Sequence, residues 1–213
     1  MTLQAPHPLV LASASPRRRE LMRALGTPFE VDPADVDETP DATLAPADDA
    51  LRLARAKADV VAARHPDRLV LAADTIVVHD GVVLGKPRDA AQNRAFLARL
   101  AGVPHAVVTA HVLVHAAGEG AFGAREVGRE AVRTEVRLRA LDAATIDRWV
   151  ASGEGLDKAG GYAIQDTGAA LVDVVHGCYS NVVGLSLPAV TRLLDAARAA
   201  PPTAPSAEAQ GGV

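Results

Sequence analysis

The hydrophobic positions along the chain follow two periods. Short apolar runs bounded by turn-forming residues predict three buried strands, at residues 9–14, 69–74 and 106–114. Alternating charged and aliphatic positions predict a half-exposed strand at residues 126–139. Helical spacing of apolar residues predicts five helices, at residues 18–25, 48–64, 89–100, 141–151 and 187–198. Because strands alternate with helices, the pattern indicates an α/β fold.

The length of the chain favours one domain. Its 213 residues, 49% of them hydrophobic, are enough to enclose a single core. We place that domain at residues 9–198, after an N-terminal extension at residues 1–8. Residues 199–213 are rich in Pro, Ala, Gly and polar side chains, and they cannot bury enough apolar surface to offset their ordering entropy. We therefore expect a disordered tail.

Charge and cysteine content exclude several classes of protein. Lys and Arg total 22 against 26 Asp and Glu, so no global positive field exists to hold a nucleic acid in a stable complex. Cys178 is the only cysteine, which excludes an intramolecular disulfide and fits a reducing compartment. No apolar run reaches the roughly 20 residues that cross a bilayer, and the first residues lack a secretion-signal pattern. We expect a cytoplasmic protein without a membrane partner.

A cluster of hydroxyl and basic side chains follows the first predicted strand. The sequence SASPRRRE places Ser13, Ser15, Arg17 and Arg18 where that strand ends and a helix begins, which is the edge where α/β proteins bind ligands. Pro16 suits the first turn of the helix, and the helix N-terminus favours an anion. The arginines therefore predict a phosphate site. The alternative is an ordinary serine N-cap followed by solvated arginines.

Acidic residues in two segments predict a metal site. Asp74, followed by Thr75, is predicted to lie at the end of the second strand, where an ionised carboxylate needs a partner. A divalent cation such as Mg²⁺ or Mn²⁺ suits that role, because it takes carboxylate and phosphate oxygens together. Asp35, Asp37 and Glu38 crowd a loop that follows the first helix and could join Asp74 around the metal. The alternatives are a turn or cap role for Asp74 and a solvated loop, which we prefer for Asp35.

Three lysines and one glutamine complete the polar set. Lys57 lies on a predicted helix, Lys86 in the turn GKP, and Lys158 in LDKAGGYAIQ. The flanking glycine and proline restrict the backbone at Lys86, which predicts a fixed ammonium rather than a mobile one. Gln165 offers a donor and an acceptor to a base edge, beside glycines that allow close approach of a ligand. Solvated lysines and a tight structural loop are the alternatives.

Several familiar catalytic patterns do not occur in the sequence. No histidine pair has metal-ligand spacing, and no Ser, His and Asp set marks a nucleophile elbow. Neither a Walker loop nor GxGxxG is present. We assign no catalytic histidine and interpret Cys178 as a small packed side chain.

Seven sequence blocks, in this order, resemble the Maf family of nucleoside triphosphate pyrophosphatases: SASPRRRE, DVDET, RLARAKA, AADTIV, GKP, LDKAGGYAIQ and GCYSNVVGL. The resemblance covers residues 9–198. It implies an elongated α/β fold with a mixed central sheet flanked by helices and a cleft between two lobes, related to enzymes that hydrolyse inosine triphosphate. It also implies a homodimer, which many family members form.

The resemblance assigns the polar residues to three groups. Those that grip the triphosphate are Ser13, Arg17 and Arg18. Those that catalyse the reaction are Asp74, Glu38, Lys57 and Lys86, with Glu38 and Asp74 holding the metal. The remaining substrate-binding residues are Thr75, Lys158 and Gln165.

Three positions favour the pyrimidine branch of the family. Members that resemble the dTTP and UTP branch carry SPRR, ADT and YxIQ, which are present here as Arg18, Thr75 and Gln165. The 7-methyl-GTP branch has a tryptophan after SP and a Gln after the Asp, where this chain has Arg and Thr. The chain departs from the family twice: Asp166 replaces a usual Gly, and Ser186 interrupts the usual GLP.

The expected reaction is metal-dependent hydrolysis of dTTP or UTP to the monophosphate and pyrophosphate, by attack of water on the α-phosphorus. Asp74 orients or deprotonates that water, and the basic side chains neutralise phosphate charge. One alternative is a pyrophosphatase for 7-methyl-GTP or an inosine-type nucleotide, and another is a nucleotide-binding regulator of septum formation. A pure anion-binding module gains nothing from Glu38 and Asp74, since they repel a polyphosphate unless a metal is present.

Overall fold

The structure is a computed structural model that describes residues 8–116 and 123–199. Apart from Pro8, the N-terminal extension lies outside the described residues, and so does the expected tail from residue 200 onward. The predictions for these two segments therefore stay predictions. Within the described ranges, no helix combines the length and the apolar character needed to cross a membrane.

The described residues form one mixed seven-stranded sheet. Its strands are β1 (Leu9–Leu11), β2 (Phe29–Val31), β3 (Leu69–His79), β4 (Val82–Leu84), β5 (Pro104–Ala116), β6 (Ala124–Leu138) and β7 (Val172–His176). The strand order is β2-β1-β3-β5-β6-β7, with β4 also paired to β3. β1 runs parallel to β2 and β3, and the other pairs are antiparallel. The predicted α/β class and mixed central sheet are confirmed.

Six α-helices accompany the sheet in the described part of the chain. They are α1 (Pro16–Ala24), α2 (Pro46–Ala62), α3 (Ala90–Leu100), α4 (Ala143–Ser152), α5 (Tyr179–Val183) and α6 (Leu187–Ala199). All five helices predicted from apolar spacing are present, with bounds shifted by up to two residues. Side-chain caps fix the N-termini of α1, α3 and α4, because Ser15, Asp89 and Asp142 each accept a backbone N–H from the first turn.

The prediction that Asp74 ends a strand is wrong. Asp74 lies in the middle of β3, which continues through Ile76 and Val77 to His79. These residues pair antiparallel with β5, so the strand is prolonged by a partner distant in sequence. The short strands β2, β4 and β7 and the short helix α5 were not predicted, because so few residues carry no clear period of their own.

The hydrophobic core is divided along the two long central strands. One cluster packs α2 against the sheet around Val70. A second packs α6 around Leu71, which points to the opposite face because adjacent strand residues alternate. A third cluster surrounds Val77 and Val107 and joins the far ends of β3 and β5 to α3 and α4. The first two clusters, on opposite faces of the sheet, form one lobe, and the third cluster forms the other. Asp74 lies where the two lobes meet.

Hydrogen bonds of His111 on β5 hold the start of α6 against the sheet. Its Nε2 accepts the backbone N–H of Ser186 at 2.8 Å, and its Nδ1 lies 3.1 Å from the carbonyl oxygen of Glu130. The hydrogen therefore sits on Nδ1, which donates to that carbonyl. Burial lowers the pKa of His111 to about 4, so the neutral ring is favoured. Ser186 also accepts the backbone N–H of Ala189 at 3.4 Å, so this departure from the family pattern supplies a helix cap.

We expect His111→Gln to flatten the acid dependence of stability. Histidine titrates near 6.5 in an unfolded chain and at about 4 here, so the stabilisation is complete above pH 6.5 and is lost as the pH falls toward 4. His105 has the same sign, because burial lowers its pKa to about 4 as well. Each histidine contributes about 3 kcal/mol to the free energy of unfolding over this range. Because His111→Gln removes one of the two contributions, the change of unfolding free energy with pH that the two histidines cause should fall by roughly half.

Urea unfolding at about pH 8, 6.5 and 5 measures this slope. His176→Gln, a substitution of an exposed histidine on β7, supplies the reference for losing an imidazole from the surface. If His111→Gln retains the full wild-type slope, the neutral buried form of His111 is ruled out.

Candidate active site

A cavity of about 590 Å³ opens where the two lobes meet. All ten predicted site residues line it: Ser13, Arg17, Arg18, Glu38, Lys57, Asp74, Thr75, Lys86, Lys158 and Gln165. They belong to six segments that are separated in sequence, and packing of α1 and α2 against β3 brings most of them together. The structure thus places these residues at one site, while their individual roles stay predictions.

Three hydrogen bonds hold the guanidinium of Arg18. Nε donates to the carbonyl of Gly184 at 2.8 Å, Nη1 to Ser13 Oγ at 3.2 Å, and Nη2 to Thr75 Oγ1 at 3.0 Å. Gly184 has a φ of 126°, a backbone conformation that favours glycine. A guanidinium has five N–H groups, so one remains on each terminal nitrogen for a ligand. Each remaining N–H group can donate to a phosphate oxygen.

The charge of Arg18 also depends on its neighbours. Burial lowers the pKa of its guanidinium, while the negative charges of Asp74 and Glu38 oppose that effect. The side chain leaves the first turn of α1, where Pro16 begins the helix and Ser15 caps it by accepting the backbone N–H of Arg18 at 3.4 Å. The predicted strand, turn and helix start at SASPRRRE is therefore confirmed as local structure.

Lys57 bridges the two predicted acidic residues. Its Nζ lies 2.7 Å from Glu38 Oε1 and 2.7 Å from Asp74 Oδ1. Lys57 and Asp74 are each 7% exposed, whereas the Glu38 side chain is 49% exposed. A buried charge costs several kcal/mol unless it is paired, so the bridge satisfies the helix lysine and the strand aspartate together. It also orders two carboxylates at the wall of a cavity that contains basic groups.

Lys57 and Lys86 set the protonation of Glu38. Burial raises the pKa of the Glu38 carboxyl, but the hydrogen bond and charge of Lys57, with the charges of Lys86 and Arg18, outweigh burial and lower the pKa below its ordinary value. Lys86 Nζ lies 3.9 Å from Glu38 Oε2, and its side chain is 63% exposed. The carbonyl of Gly85 accepts a backbone N–H at 3.0 Å, so the backbone beside Lys86 is tied although its side chain faces solvent.

Two residues of α2 hold the loop that presents Glu38. Asp49 accepts the backbone N–H of Asp41 at 3.2 Å, and Arg52 donates to the carbonyl of Thr39 at 3.0 Å. Asp49 and Arg52 pair with each other at 2.6 Å. The helix that supplies the bridging ammonium therefore also fixes the loop directly after Glu38.

Asp157 pairs with two cations at the edge of the cavity. Its Oδ2 lies 3.4 Å from Arg17 Nη1, and its Oδ1 lies 2.6 Å from Lys158 Nζ. Lys158 also donates to the carbonyl of Glu154. Burial raises the pKa of Asp157, but Lys158 and Arg17 outweigh it and lower the pKa. In this arrangement the ammonium of Lys158 stabilises its own loop as well as lining the cavity.

Part of the cavity lining is apolar. Tyr162 and Ile164 line it beside the half-buried Gln165. The Tyr162 hydroxyl lies 2.6 Å from His105 Nε2, which engages the phenol within the core. Asp166, at the position where the family usually has glycine, adopts a φ of 52°, and this left-handed backbone explains why a glycine suits that position.

Two residues at the site had not been predicted individually from the sequence. Gly184 and Tyr162 line the cavity, and only the blocks GCYSNVVGL and LDKAGGYAIQ signalled that their segments matter. Asp35, for which we preferred a solvated loop, is exposed and lies outside the cavity lining. Cys178 is half-buried with its Sγ 3.2 Å from Ser180 Oγ, and it also lies outside the lining.

The donors at the cavity fit a divalent cation that is shared with a ligand. Among residues 8–116 and 123–199, no group of three or more His, Cys, Asp or Glu side chains forms a metal cage. Glu38 and Asp74 instead offer carboxylate oxygens from two elements that meet at one ammonium. Mg²⁺ commonly binds through one or two carboxylates and completes its shell with water and substrate phosphates, which suits this pair.

Comparison with known proteins agrees with the family resemblance. A family model described as Maf-like protein matches residues 8–197. A protein named dTTP/UTP pyrophosphatase from Deinococcus radiodurans is 48% identical, over 87% of this chain and 91% of that protein. Proteins of the same name from Salinibacter ruber and Myxococcus xanthus are 48% and 50% identical, over 91% and 89% of this chain and 93% and 92% of their own lengths. A match over nearly the whole described chain, together with these relatives, shows that the chain belongs to the Maf family.

Proposed function

We propose that this protein hydrolyses dTTP and UTP to the nucleoside monophosphate and pyrophosphate. The observation on which the proposal depends is the convergence of anchored arginine and paired carboxylates in one cavity. Arg18 leaves two N–H groups for a phosphate, while Lys57 orders Glu38 and Asp74 nearby. The names of the relatives support a nucleoside triphosphate pyrophosphatase and the pyrimidine substrates.

The basic residues bind the triphosphate. Arg18 offers a fixed fork from the start of α1, and Arg17 approaches from the same helical turn. The exposed Lys86 adds a positive charge on the side of Glu38. Fixed positive groups that face the developing charge on phosphate oxygens lower the barrier without reorganising, which is the largest contribution in phosphoryl transfer.

Asp74 acts on the attacking water. Its carboxylate is largely buried on β3, and the rigid central sheet holds it at the cavity wall. The water oxygen forms a bond to the α-phosphorus while the bond to the bridging oxygen of the β-phosphate breaks. Asp74 takes a proton from the water, and pyrophosphate leaves. Lys57 offsets the negative charge of both carboxylates, which would otherwise repel the triphosphate.

We propose that Glu38 and Asp74 hold a divalent cation, Mg²⁺ or Mn²⁺, together with the phosphates. When bound, such an ion supplies Lewis-acid stabilisation of phosphate oxygens and orients the substrate. The loop that carries Glu38 is tied to α2 through Thr39 and Asp41, so this ligand is positioned by the same helix that supplies Lys57.

The family resemblance assigns the preference for pyrimidines to Arg18, Thr75 and Gln165. The names of the relatives support this preference. Neither the purine-directed pyrophosphatase nor the regulator of septum formation is favoured. We also propose that the enzyme acts in the cytoplasm as a homodimer, on the basis of its single cysteine and of the assembly that is common in the family.

A panel of dTTP, UTP, CTP, 7-methyl-GTP and ITP tests the proposed function. We expect release of pyrophosphate and monophosphate from dTTP and UTP with Mg²⁺ or Mn²⁺, and loss of release with a chelator. Preference for a purine nucleotide would overturn the substrate assignment and leave the reaction type standing. Binding without release of pyrophosphate from any nucleotide would overturn the enzymatic function.

We expect Asp74→Asn to retain the fold and nucleotide binding but to lower kcat by about 10² to 10⁴, the usual contribution of general-base catalysis. The amide keeps the shape of the side chain and removes its ability to take a proton. Asp35→Asn is the matched control, because Asp35 is exposed outside the cavity, and it should keep wild-type kcat. Wild-type turnover by Asp74→Asn would remove Asp74 from the mechanism.

We expect Lys57→Met to move the acidic limb of the kcat/KM–pH profile to higher pH. The hydrogen bond and charge of Lys57 lower the pKa of Glu38, so their loss should raise it and leave Glu38 protonated at a higher pH. Lys86→Met removes only a charge at 3.9 Å and should shift the limb less. If the acidic limbs of wild type and Lys57→Met lie at the same pH, the ionisation of Glu38 does not control activity.

A further inference from the structure

We infer that Thr109, a buried residue outside the cavity lining, is the positioning residue that sets the orientation of Arg18. Thr109 lies on β5 directly opposite Thr75 of β3. It is 0% exposed and does not line the cavity. The inference rests on the proposed function, in that Arg18 is taken to bind the triphosphate.

Thr109 links two groups at the meeting point of the lobes. Its Oγ1 lies 2.8 Å from the carbonyl oxygen of Asn181 and 3.1 Å from Thr75 Oγ1. Thr75 Oγ1 in turn lies 3.0 Å from Arg18 Nη2. A continuous chain of hydrogen bonds therefore runs from the guanidinium of Arg18 to the backbone carbonyl of Asn181, in the middle of α5.

The number of hydrogens fixes the direction of this chain. A threonine hydroxyl has one hydrogen to donate, and a carbonyl oxygen can only accept. Thr109 therefore donates to Asn181, which is also the shorter of its two contacts. Its contact with Thr75 must then use the hydrogen of Thr75. Arg18 donates to Thr75, Thr75 to Thr109, and Thr109 to the Asn181 carbonyl.

This direction decides what Thr75 contributes to binding. Its single hydrogen is committed to Thr109, so Thr75 has no hydrogen left to donate to a nucleotide. Thr75 acts as an acceptor that holds Nη2 of Arg18. The threonine that marks the pyrimidine branch of the family thus acts on the phosphate side, through the arginine.

A second path joins Arg18 to the same carbonyl. Asn181 O also accepts the backbone N–H of Gly184 at 3.0 Å, and Gly184 O accepts Nε of Arg18 at 2.8 Å. The Asn181 side chain is fixed from β5 and β6, because its Nδ2 donates to Val107 O and Thr134 Oγ1, each at 3.1 Å. Two of the three anchors of Arg18 therefore converge on the Asn181 carbonyl, and Thr109 connects that carbonyl with Thr75.

The arrangement has a measurable consequence for catalysis. Displacement of a substrate-positioning group by about 1 Å can cost about 10²-fold in rate. Loss of the Thr109 hydroxyl releases the hydrogen of Thr75 and leaves Nη2 without an oriented acceptor. We expect Thr109→Val, which keeps the shape of the side chain, to lower kcat/KM for dTTP by about 10-fold to 10²-fold.

Two variants separate positioning from general damage to the core. Thr109→Ser keeps the hydroxyl and should restore kcat/KM to within about twofold of wild type. Thr191→Val is the control, because it removes a half-buried hydroxyl that donates to Leu187 O at 3.0 Å on α6, outside the cavity lining and outside the hydrogen-bond chain of Arg18. It should keep kcat/KM within about twofold of wild type.

A double-mutant cycle with Arg18→Lys tests the route of the effect. Lysine at position 18 has an ammonium in place of the planar guanidinium that Thr75 orients. In the Arg18→Lys protein, Thr109→Val should therefore lower kcat/KM by less than about twofold. Full additivity of the two substitutions would overturn the inference. So would a loss of activity in Thr191→Val equal to that in Thr109→Val, or a failure of Thr109→Ser to recover activity.

Calorimetric binding of inorganic tripolyphosphate with Mg²⁺ distinguishes this inference from the proposed function. We expect Thr109→Val to weaken that binding by about 10-fold relative to wild type and Thr191→Val. If the wild type releases no pyrophosphate from any nucleotide, the proposed function fails, and the same binding comparison still decides the role of Thr109. Equal tripolyphosphate affinity in wild type and Thr109→Val, or no binding by the wild type, overturns the inference.

Discussion

The shared ion bridge of Lys57 is the constraint on which the site depends. One ammonium lies 2.7 Å from a carboxylate of the loop after β2 and 2.7 Å from a carboxylate of β3. A cavity that binds a polyphosphate and also contains two carboxylates faces a conflict of charge, and the buried lysine offsets it locally. The bridge also joins α2, β3 and the loop of Glu38, so one contact fixes the relative placement of three segments.

The long central strands give that bridge its rigid base. Residues on either side of Asp74 belong to different parts of the divided core, and the apolar runs of β3 and β5 anchor both lobes. Polar residues interrupt the apolar pattern at the meeting point, where Thr75 and Thr109 face each other in register. Burial of these hydroxyls is tolerated because each finds a hydrogen-bond partner, and the same partners orient Arg18.

The cavity lining combines two chemistries. The basic side chain of Arg18 leaves the start of α1 and is held by backbone and hydroxyl acceptors from three segments. The apolar part of the lining includes Tyr162 and Ile164, in a segment that the pairing of Tyr162 with His105 ties to β5. A nucleotide combines the same two chemistries, with charge on the phosphates and a flat, less polar base.

The sequence by itself determined the local features. Apolar spacing located the helices and central strands, and SASPRRRE specified a strand, a serine cap and a helix start, because these depend on residues within a few positions of one another. The family blocks also named ten of the residues that line the cavity. Tertiary structure alone decided that Asp74 lies in mid-strand, that Lys57 bridges two carboxylates, and that Thr109 reaches Asn181 across 72 positions. Such contacts arise from strand pairing and helix packing between distant segments, and the period of hydrophobic residues within one segment does not encode them.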